Sequence, residues 1–461
     1  MNSRPNILFI ITDQQHWRAL SAMGNAALRT PHMDRLVRRG TVIERSYCAS
    51  PVCGPSRMSL ATGLPPHEHG YTHHFPQQWD WAARGLISFG HSLRAGGYET
   101  YWSGKWHASV CFPTRENDAP GFTNLSLGHD DTGLMKEIGW EIDEAWAGRA
   151  ADFLRKRDTQ SAPFFLGVSL LNPHDICYWI MNLHADRLKA ALARLPQAPV
   201  PLLPANMAID PGEPEIMRHR RTVKKYGPEL QWTLDWTDAD WTRYLYTYYR
   251  LVERVDAEIG RVLDALDASG HADNTLIVFT SDHGEGCASH RLVVKLSAYE
   301  EALRVPLAFS WPGRIAEGCT VTTQVANGLD LGATMLDFAG VPPLAPSRGI
   351  SLRHVVLGST PCVREFAVSE LYPDRDAIGW TARIVTSVTG KYLLATDGNG
   401  LVEEAFYDLA GDPGEMANAI RNPAMAARIQ PMREYLAGWM AQTGDPLASL
   451  LPGRPADSAV A

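Results

Sequence analysis

Three apolar runs along the chain each lead into a short group of polar residues. Residues 6–12, 163–171 and 275–280 are continuous, rich in β-branched and aromatic side chains, and typical of strands buried on both faces. The polar groups that follow them are Asp13-Gln14, Asn172-Pro173-His174-Asp175 and Ser281-Asp282-His283-Gly284. Because ligands bind outside the carboxyl ends of the strands in α/β proteins, we predict one assembled site at that edge.

The segment before the third run has the spacing of an amphipathic helix. Apolar residues recur at helical intervals over 240–269, and Gly270 is a stop signal. Strands that alternate with helices over most of the chain favour an α/β fold with a mostly parallel central sheet flanked by helices. The proline-rich stretch 195–214 is interpreted as a surface excursion.

Shorter apolar segments follow residue 346. They predict a small antiparallel sheet from residues 365–371, 382–388, 391–395 and 406–409, followed by a terminal helix over 423–442. We therefore predict a large domain over residues 1–346, which carries the site, and a small C-terminal α+β subdomain over residues 347–461.

Composition and charge exclude several classes of protein. The 461 residues are 45% hydrophobic and 20% charged, which suffices for a substantial core without disulfides. A net charge of −8 indicates neither a nucleic-acid nor a membrane-surface partner, and the basic cluster 218–225 is interpreted as a solvated face or as the approach path of an anionic substrate. Without a recognisable signal peptide or membrane span, we expect a cytoplasmic protein.

The seven cysteines are odd in number and none forms a CxxC pair, so neither a zinc knuckle nor a dithiol motif is indicated. Six of them are interpreted as reduced thiols. Cys53 is different because it opens the segment Cys53-Gly54-Pro55-Ser56-Arg57, which matches no cysteine-protease signature.

This segment resembles the C-x-P-S-R signature of the formylglycine-dependent sulfatases, which have an alkaline phosphatase-like fold. Other landmarks of that family recur in order over nearly the whole chain: Asp13, Gly104-Lys105-Trp106-His107, Pro173-His174, Ser281-Asp282-His283-Gly284-Glu285, Lys295, Tyr299-Glu300-Glu301, Tyr407-Asp408-Leu409 and Asp412-Pro413-Gly414-Glu415. The resemblance implies a sulfuric ester hydrolase, with residues 1–346 as its catalytic sulfatase domain. It also implies that a formylglycine-generating enzyme oxidises Cys53 to Cα-formylglycine (3-oxoalanine).

The resemblance implies a metal site as well. Asp13, Gln14, Asp282 and His283, together with the oxidised Cys53, would hold one divalent cation. Oxygen-rich ligation favours Ca²⁺, and the imidazole leaves Mn²⁺ open. Many family members carry a second aspartate where this chain has Gln14; the amide retains an oxygen but removes one negative charge.

The remaining roles also follow from the resemblance. A hydrated aldehyde has two hydroxyls, of which one attacks sulfur to form a covalent sulfated intermediate, while loss of the other's proton expels sulfate. Arg57 and Lys105 would orient this diol, and His107 would take the proton. His174 and Lys295 would contact the sulfate group and protonate the leaving oxygen, with the choice between them left open.

Other functions share this set of residues. A phosphonate monoester or phosphodiester hydrolase, an N-sulfatase acting on a sulfamate, and a non-catalytic sulfate-binding protein that keeps Cys53 as a thiol all remain open. The pair Asp13-Gln14 resembles both phosphonate hydrolases and choline-sulfatase-like enzymes, so it does not decide between them. The expected substrate is a sulfate ester of a small molecule or a saccharide, and a homo-oligomer is left open.

Several histidines and tryptophans lie outside this set of residues. His67, His69, His73 and His74 are interpreted as structural or pocket-lining, and His290 as facing the pocket entrance. Trp179, Trp232 and Trp236 are expected to shape the pocket for the leaving group.

Overall fold

The computed structural model describes residues 4–73, 80–109, 119–126, 139–182, 185–195, 197–222, 233–373 and 379–451. These residues form a large mixed sheet and a small antiparallel sheet. The large sheet contains strands β1 (Asn6–Asp13), β2 (Thr41–Tyr47), β3 (Glu99–Gly104), β4 (Thr123–Asn124), β5 (Phe164–Pro173), β6 (Thr275–Ser281), β7 (Arg304–Val305), β8 (Leu307–Ser310) and β9 (Cys319–Asn327).

The strand order of the large sheet brings the polar strand ends together. The order is β4-β3-β5-β1-β6-β8-β2-β7, and β9 pairs with β2. Strands β3, β5, β1 and β6 are parallel neighbours, whereas β8 is antiparallel to β6 and β2. The carboxyl ends of β3, β5, β1 and β6 therefore meet at one edge, as the three apolar runs predict.

Helices cover both faces of the large sheet. They span Pro31–Arg38, Cys53–Thr62, Pro66–His69, Phe89–Ala95, Gly139–Lys156, Ile176–Ile180, Ala185–Leu192, Glu215–Thr222, Asp238–Ala268, Glu300–Leu303, Leu329–Phe338 and Arg353–Val356. Side chains of β1 alternate between the faces: Leu8 and Ile10 join one hydrophobic cluster, and Ile7, Phe9 and Ile11 join the other. Both faces are therefore buried, which explains why the strand reads as an unbroken apolar run.

The small sheet lies near the C-terminus. It contains β10 (Ala367–Leu371), β11 (Thr381–Thr386), β12 (Lys391–Thr396) and β13 (Val402–Tyr407), paired antiparallel in sequence order. One face of it packs against the helix Ala426–Thr443, in a hydrophobic cluster that includes Tyr392, Phe406 and Leu436. The predicted fold class, α/β with a C-terminal antiparallel sheet and helix, is thus confirmed. The domain division at residue 346 stays a prediction.

Two further features bear on the sequence-based expectations. Among the described helices, none combines the length and the apolar character that crossing a bilayer requires. The basic cluster is only in part what we expected: Arg220 and Arg221, near the end of the helix Glu215–Thr222, are buried rather than solvated. Residues 224 and 225 of this cluster lie outside the described residues.

Candidate active site

The carboxyl edge of the large sheet collects all the predicted site residues. Asp13 ends β1, and Gln14 follows it; Asp282 and His283 follow β6. Lys105 and His107 follow β3, and His174 follows β5. Cys53 and Arg57 lie in the helix Cys53–Thr62, and Lys295 lies in a loop packed on this edge. Every one of these side chains is buried, with at most 9% of its surface exposed.

Cys53 is the first residue of the helix Cys53–Thr62, so its side chain lies at the positive end of the helix dipole. Its Sγ lies 2.9 Å from Lys295 Nζ, 3.1 Å from His283 Nε2 and 3.6 Å from Asp13 Oδ1. Burial and the Asp13 carboxylate raise the pKa of the thiol, but neighbouring cations outweigh them and lower it below its ordinary value. Residue 53 thus lies where basic groups favour a negative charge.

Arg57 lies one helical turn beyond Cys53 and joins the two carboxylates of the site. Its Nε donates to Asp282 Oδ2 at 2.7 Å, and a terminal nitrogen donates to Asp13 Oδ2 at 3.2 Å. The other terminal nitrogen donates to Ser169 Oγ at 2.8 Å and to the Lys105 carbonyl at 3.1 Å. A planar guanidinium can bind all these acceptors at once, which holds both carboxylates in fixed orientations.

Lys105 gives Asp13 a second positive partner, because its ammonium donates to Asp13 Oδ2. Burial raises the pKa of Asp13, but Lys105, His174 and Arg57 together hold it well below its ordinary value. The site depends here on a close approach of two strands. Gly104 has φ 105°, and a Cβ on it would lie 1.9 Å from the Ser169 carbonyl oxygen, so only glycine fits.

Gln14 is held by both its backbone and its side chain. Its φ is 67°, in the left-handed region that few residues other than glycine adopt. Its N–H donates to Asp282 Oδ1 at 3.0 Å, and its carbonyl accepts from the Tyr248 hydroxyl at 2.8 Å. Its side-chain Oε1 accepts a hydrogen bond from Lys295 Nζ at 3.1 Å. The amide oxygen therefore lies on the side of residue 53.

Four side chains at this edge form a donor set that could hold a cation. Ligand atoms of Asp13, Cys53, Asp282 and His283 all lie within 4.8 Å of one another. The imidazole Nδ1 of His283 is 2.9 Å from the Gly284 carbonyl, which leaves Nε2 facing the cluster. Buried carboxylate oxygens with one imidazole nitrogen suit a divalent ion, and a second contact that orients the imidazole is usual at metal sites.

Two histidines complete the predicted set. His174 follows β5, and its Nδ1 has no hydrogen-bond partner among the described residues. Burial and the Lys105 ammonium hold the pKa of His174 well below its ordinary value. His107 is buried with φ 55°, and its carbonyl oxygen would lie 3.3 Å from a Cβ on Gly54.

Several contacts in the site involve residues to which the sequence assigned no role. Glu285 receives a hydrogen bond from the Gln14 amide, and Cys177 Sγ lies 3.3 Å from the same nitrogen. The buried Arg220 donates twice to the Lys295 carbonyl, at 2.8 and 3.0 Å. Glu285 could have been identified from the sequence, because it belongs to a family landmark. For Arg220 the sequence contained no such signal beyond its place in a basic cluster.

The remaining histidines and tryptophans singled out in the sequence contact other parts of the fold. His67 Nδ1 is 2.6 Å from Glu370 Oε1, and His69 Nε2 is 2.9 Å from Ser59 Oγ. His290 is buried and stacks on Tyr299 with ring centroids 3.7 Å apart, and its position at a pocket entrance stays a prediction. His73 contacts the Pro373 carbonyl. Trp179 packs on Trp236, and the role of these residues in shaping the leaving-group pocket stays a prediction. His74 and Trp232 lie outside the described residues.

The mostly parallel sheet, with buried carboxylates, imidazoles and cations at its carboxyl edge, agrees with the alkaline phosphatase-like class. The sulfatase family model matches residues 5–341. A second model, for the C-terminal part of N-sulphoglucosamine sulphohydrolase, matches residues 288–442. The chain belongs to the sulfatase family, and the prediction of a sulfuric ester hydrolase is confirmed.

Individual relatives are distant in sequence but similar over their whole length. A Δ4,5-hexuronate-2-O-sulfatase from Bacteroides thetaiotaomicron is 26% identical, over 97% of this chain and 91% of its own. A solved 2-O GAG sulfatase superposes with a TM-score of 0.82 at 25% identity, covering 96% and 93% of the two chains. The phosphonate monoester hydrolase of Agrobacterium radiobacter, at 23% identity and a TM-score of 0.73 over 95% and 96%, shares the fold.

Proposed function

We propose that this protein hydrolyses the sulfate ester of a saccharide, with a formylglycine made from Cys53 as the nucleophile and one divalent metal ion. The observation that carries the proposal is the surroundings of Cys53 Sγ. This atom lies within 3.6 Å of a carboxylate oxygen, an imidazole nitrogen and an ammonium group, on buried residues at the sheet edge. In the proposed enzyme Sγ is replaced by the oxygens of the hydrated aldehyde.

The residues present fit a metal ion. Asp13, Asp282, His283 and the substituent of residue 53 would hold it, and Gln14 Oε1 is the additional neutral oxygen nearby. When bound, the ion would neutralise sulfonyl oxygens and lower the pKa of a nearby hydroxyl. Calcium is the ion we propose because most of the donors are oxygens, with manganese as the alternative.

The chain's own cations prepare the site for an anionic group. Lys295 Nζ and the Lys105 ammonium flank residue 53 and Asp13, so a sulfate group there would meet fixed positive charges. Such preorganised charges stabilise the charge that spreads over oxygens in the transition state. Arg57 holds the Asp13 and Asp282 carboxylates in fixed orientations.

Proton transfer falls to three groups in this proposal. His107 takes the proton whose loss releases sulfate, and His174 and Lys295 are the two candidates for protonating the leaving oxygen. Burial and Lys105 lower the pKa of His174, and an anionic substrate would raise it, which favours proton donation.

The saccharide half of the proposal rests on the relatives. Two of them are named for the 2-O-sulfate group of hexuronates or of GAG chains, and this chain covers more than nine-tenths of each. Sulfated disaccharides with the sulfate at different ring positions are therefore the substrates to test first.

The test measures both the chemical form of residue 53 and the turnover of sulfate esters. Protein made with the formylglycine-generating enzyme should yield a Cys53 peptide lighter by about 18 Da, as expected when oxygen replaces SH₂ at a nucleophilic cysteine. It should hydrolyse 4-nitrophenyl sulfate and a sulfated disaccharide when a divalent metal is present, and Cys53→Ala should abolish both activities. Faster turnover of a phenyl phosphonate or of a sulfamate would replace the proposed substrate, and full activity with an unmodified thiol would refute the mechanism.

A further inference from the structure

The Gln14 side chain is contacted at both ends of its amide group. Oε1 accepts from the Lys295 ammonium at 3.1 Å, and Nε2 donates to Glu285 Oε2. An ammonium group can only donate, so the amide oxygen must face Lys295 and the NH₂ group must face Glu285. Reversing the amide would set donor against donor at Lys295 and acceptor against acceptor at Glu285. The orientation of the amide is therefore determined by its neighbours.

Glu285 is itself held rigidly. The carboxylate is fully buried, and its Oε1 accepts hydrogen bonds from the Val294 N–H and from the Tyr244 hydroxyl. Tyr244 belongs to the helix Asp238–Ala268, and Tyr248, one turn further on, donates to the Gln14 carbonyl. One face of this helix thus supports both the backbone of Gln14 and the group that holds its side chain.

We propose that Glu285 is a positioning residue that points the side-chain amide oxygen of Gln14, Oε1, towards the metal site. The inference rests on the proposed function in one respect, namely that a divalent ion binds between Asp13 and Asp282. A carboxylate at position 14 has no N–H to donate and would set acceptor against acceptor at Glu285, so this contact requires an amide at position 14.

A charge-conserving exchange tests this inference. In Glu285→Gln, two amides face each other and either can flip, so Ca²⁺ and Mn²⁺ should bind roughly 10- to 100-fold more weakly, the usual effect of losing a group that orients a metal ligand. In Gln14→Glu with Glu285→Gln, the net charge is unchanged and the hydrogen bond is restored in reverse. This double variant should recover metal affinity to within about fivefold of the wild type.

The measurements are metal titration by calorimetry and the melting temperature without metal, both on the full chain. Glu258→Gln is the matched control, because Glu258 is a buried carboxylate that pairs with Arg254 and Arg261. It should lower the melting temperature and leave metal affinity unchanged. Tyr244→Phe keeps the Glu285 carboxylate but removes one of its donors, and should weaken metal binding less than Glu285→Gln does.

The outcomes separate this inference from the proposed function. Unchanged metal affinity in folded Glu285→Gln overturns the inference, and so does a double variant that binds as weakly as Glu285→Gln alone. If Glu285→Gln fails to fold, wild-type metal affinity in Tyr244→Phe overturns it. The predicted order of metal affinities in a protein that hydrolyses no sulfate ester supports the positioning role and refutes only the substrate.

Discussion

Replacing Arg57 by lysine tests whether its four contacts organise the site. Lysine keeps the positive charge but can reach only one carboxylate, so one charge-assisted bond and the bonds to Ser169 Oγ and the Lys105 carbonyl are lost. A charge-assisted hydrogen bond contributes about 1.5–3 kcal/mol and a neutral one about 0.5–1.5 kcal/mol. The lower ends of these ranges add up to about 2.5 kcal/mol. This loss is not compensated, because the buried acceptors find no water to replace the guanidinium.

This loss should appear in both stability and catalysis. Urea unfolding of Arg57→Lys should give a free energy of unfolding lower by about 2.5 kcal/mol. If the same contacts hold the site in the transition state, kcat/KM for 4-nitrophenyl sulfate should fall by about 70-fold. The fraction of formylglycine at residue 53 must be measured in each preparation, since activity scales with it.

A surface arginine provides the matched control. Arg433 binds both oxygens of Glu404, at 2.6 and 2.8 Å, with about a third of its side chain exposed. Arg433→Lys should lower the free energy of unfolding by less than about 1 kcal/mol and leave kinetics unchanged. If Arg57→Lys behaved like this control in both assays, the reasoning from its four contacts would be refuted.

Three further predictions use other contacts. Burial lowers the pKa of His67, but its bond to Glu370 outweighs this and raises it, so its contribution to stability is complete below the unfolded pKa of about 6.5 and disappears as pH rises through the folded value. Melting temperatures of wild type and His67→Gln should therefore converge on going from pH 6 to pH 9, and a constant difference would contradict this. If His174 or Lys295 is the general acid, its replacement by alanine should reduce activity on an alkyl sulfate more than on 4-nitrophenyl sulfate, because a poor leaving group needs the proton more. A variant that loses equal activity on both substrates would exclude the replaced residue as the acid. Arg220→Met should lower kcat by about 10-fold, because the guanidinium holds the Lys295 carbonyl, and wild-type kcat would show that this tether is dispensable.

Much of the fold and the core of the site could be predicted from local patterns. The run 6–12 is a strand because its residues are apolar on both faces, and it ends at Asp13 in the structure. The family landmarks then identified residues such as Cys53 and Lys105, which the folded chain does bring to one edge. These features are local or chemically distinctive, so the sequence alone determines them.

Partners that lie far apart along the chain could not be predicted this way. Glu285 and Gln14 are 271 residues apart, and the sequence contains no sign that one orients the other. Arg220 stands in a basic cluster that looks solvated, yet folding buries it against the Lys295 loop. A hydrogen bond depends on where two backbones meet in space, whereas a sequence pattern records only neighbours along one backbone. The sequence thus determined which groups carry the chemistry, and only the tertiary structure decided which other residues hold those groups in place.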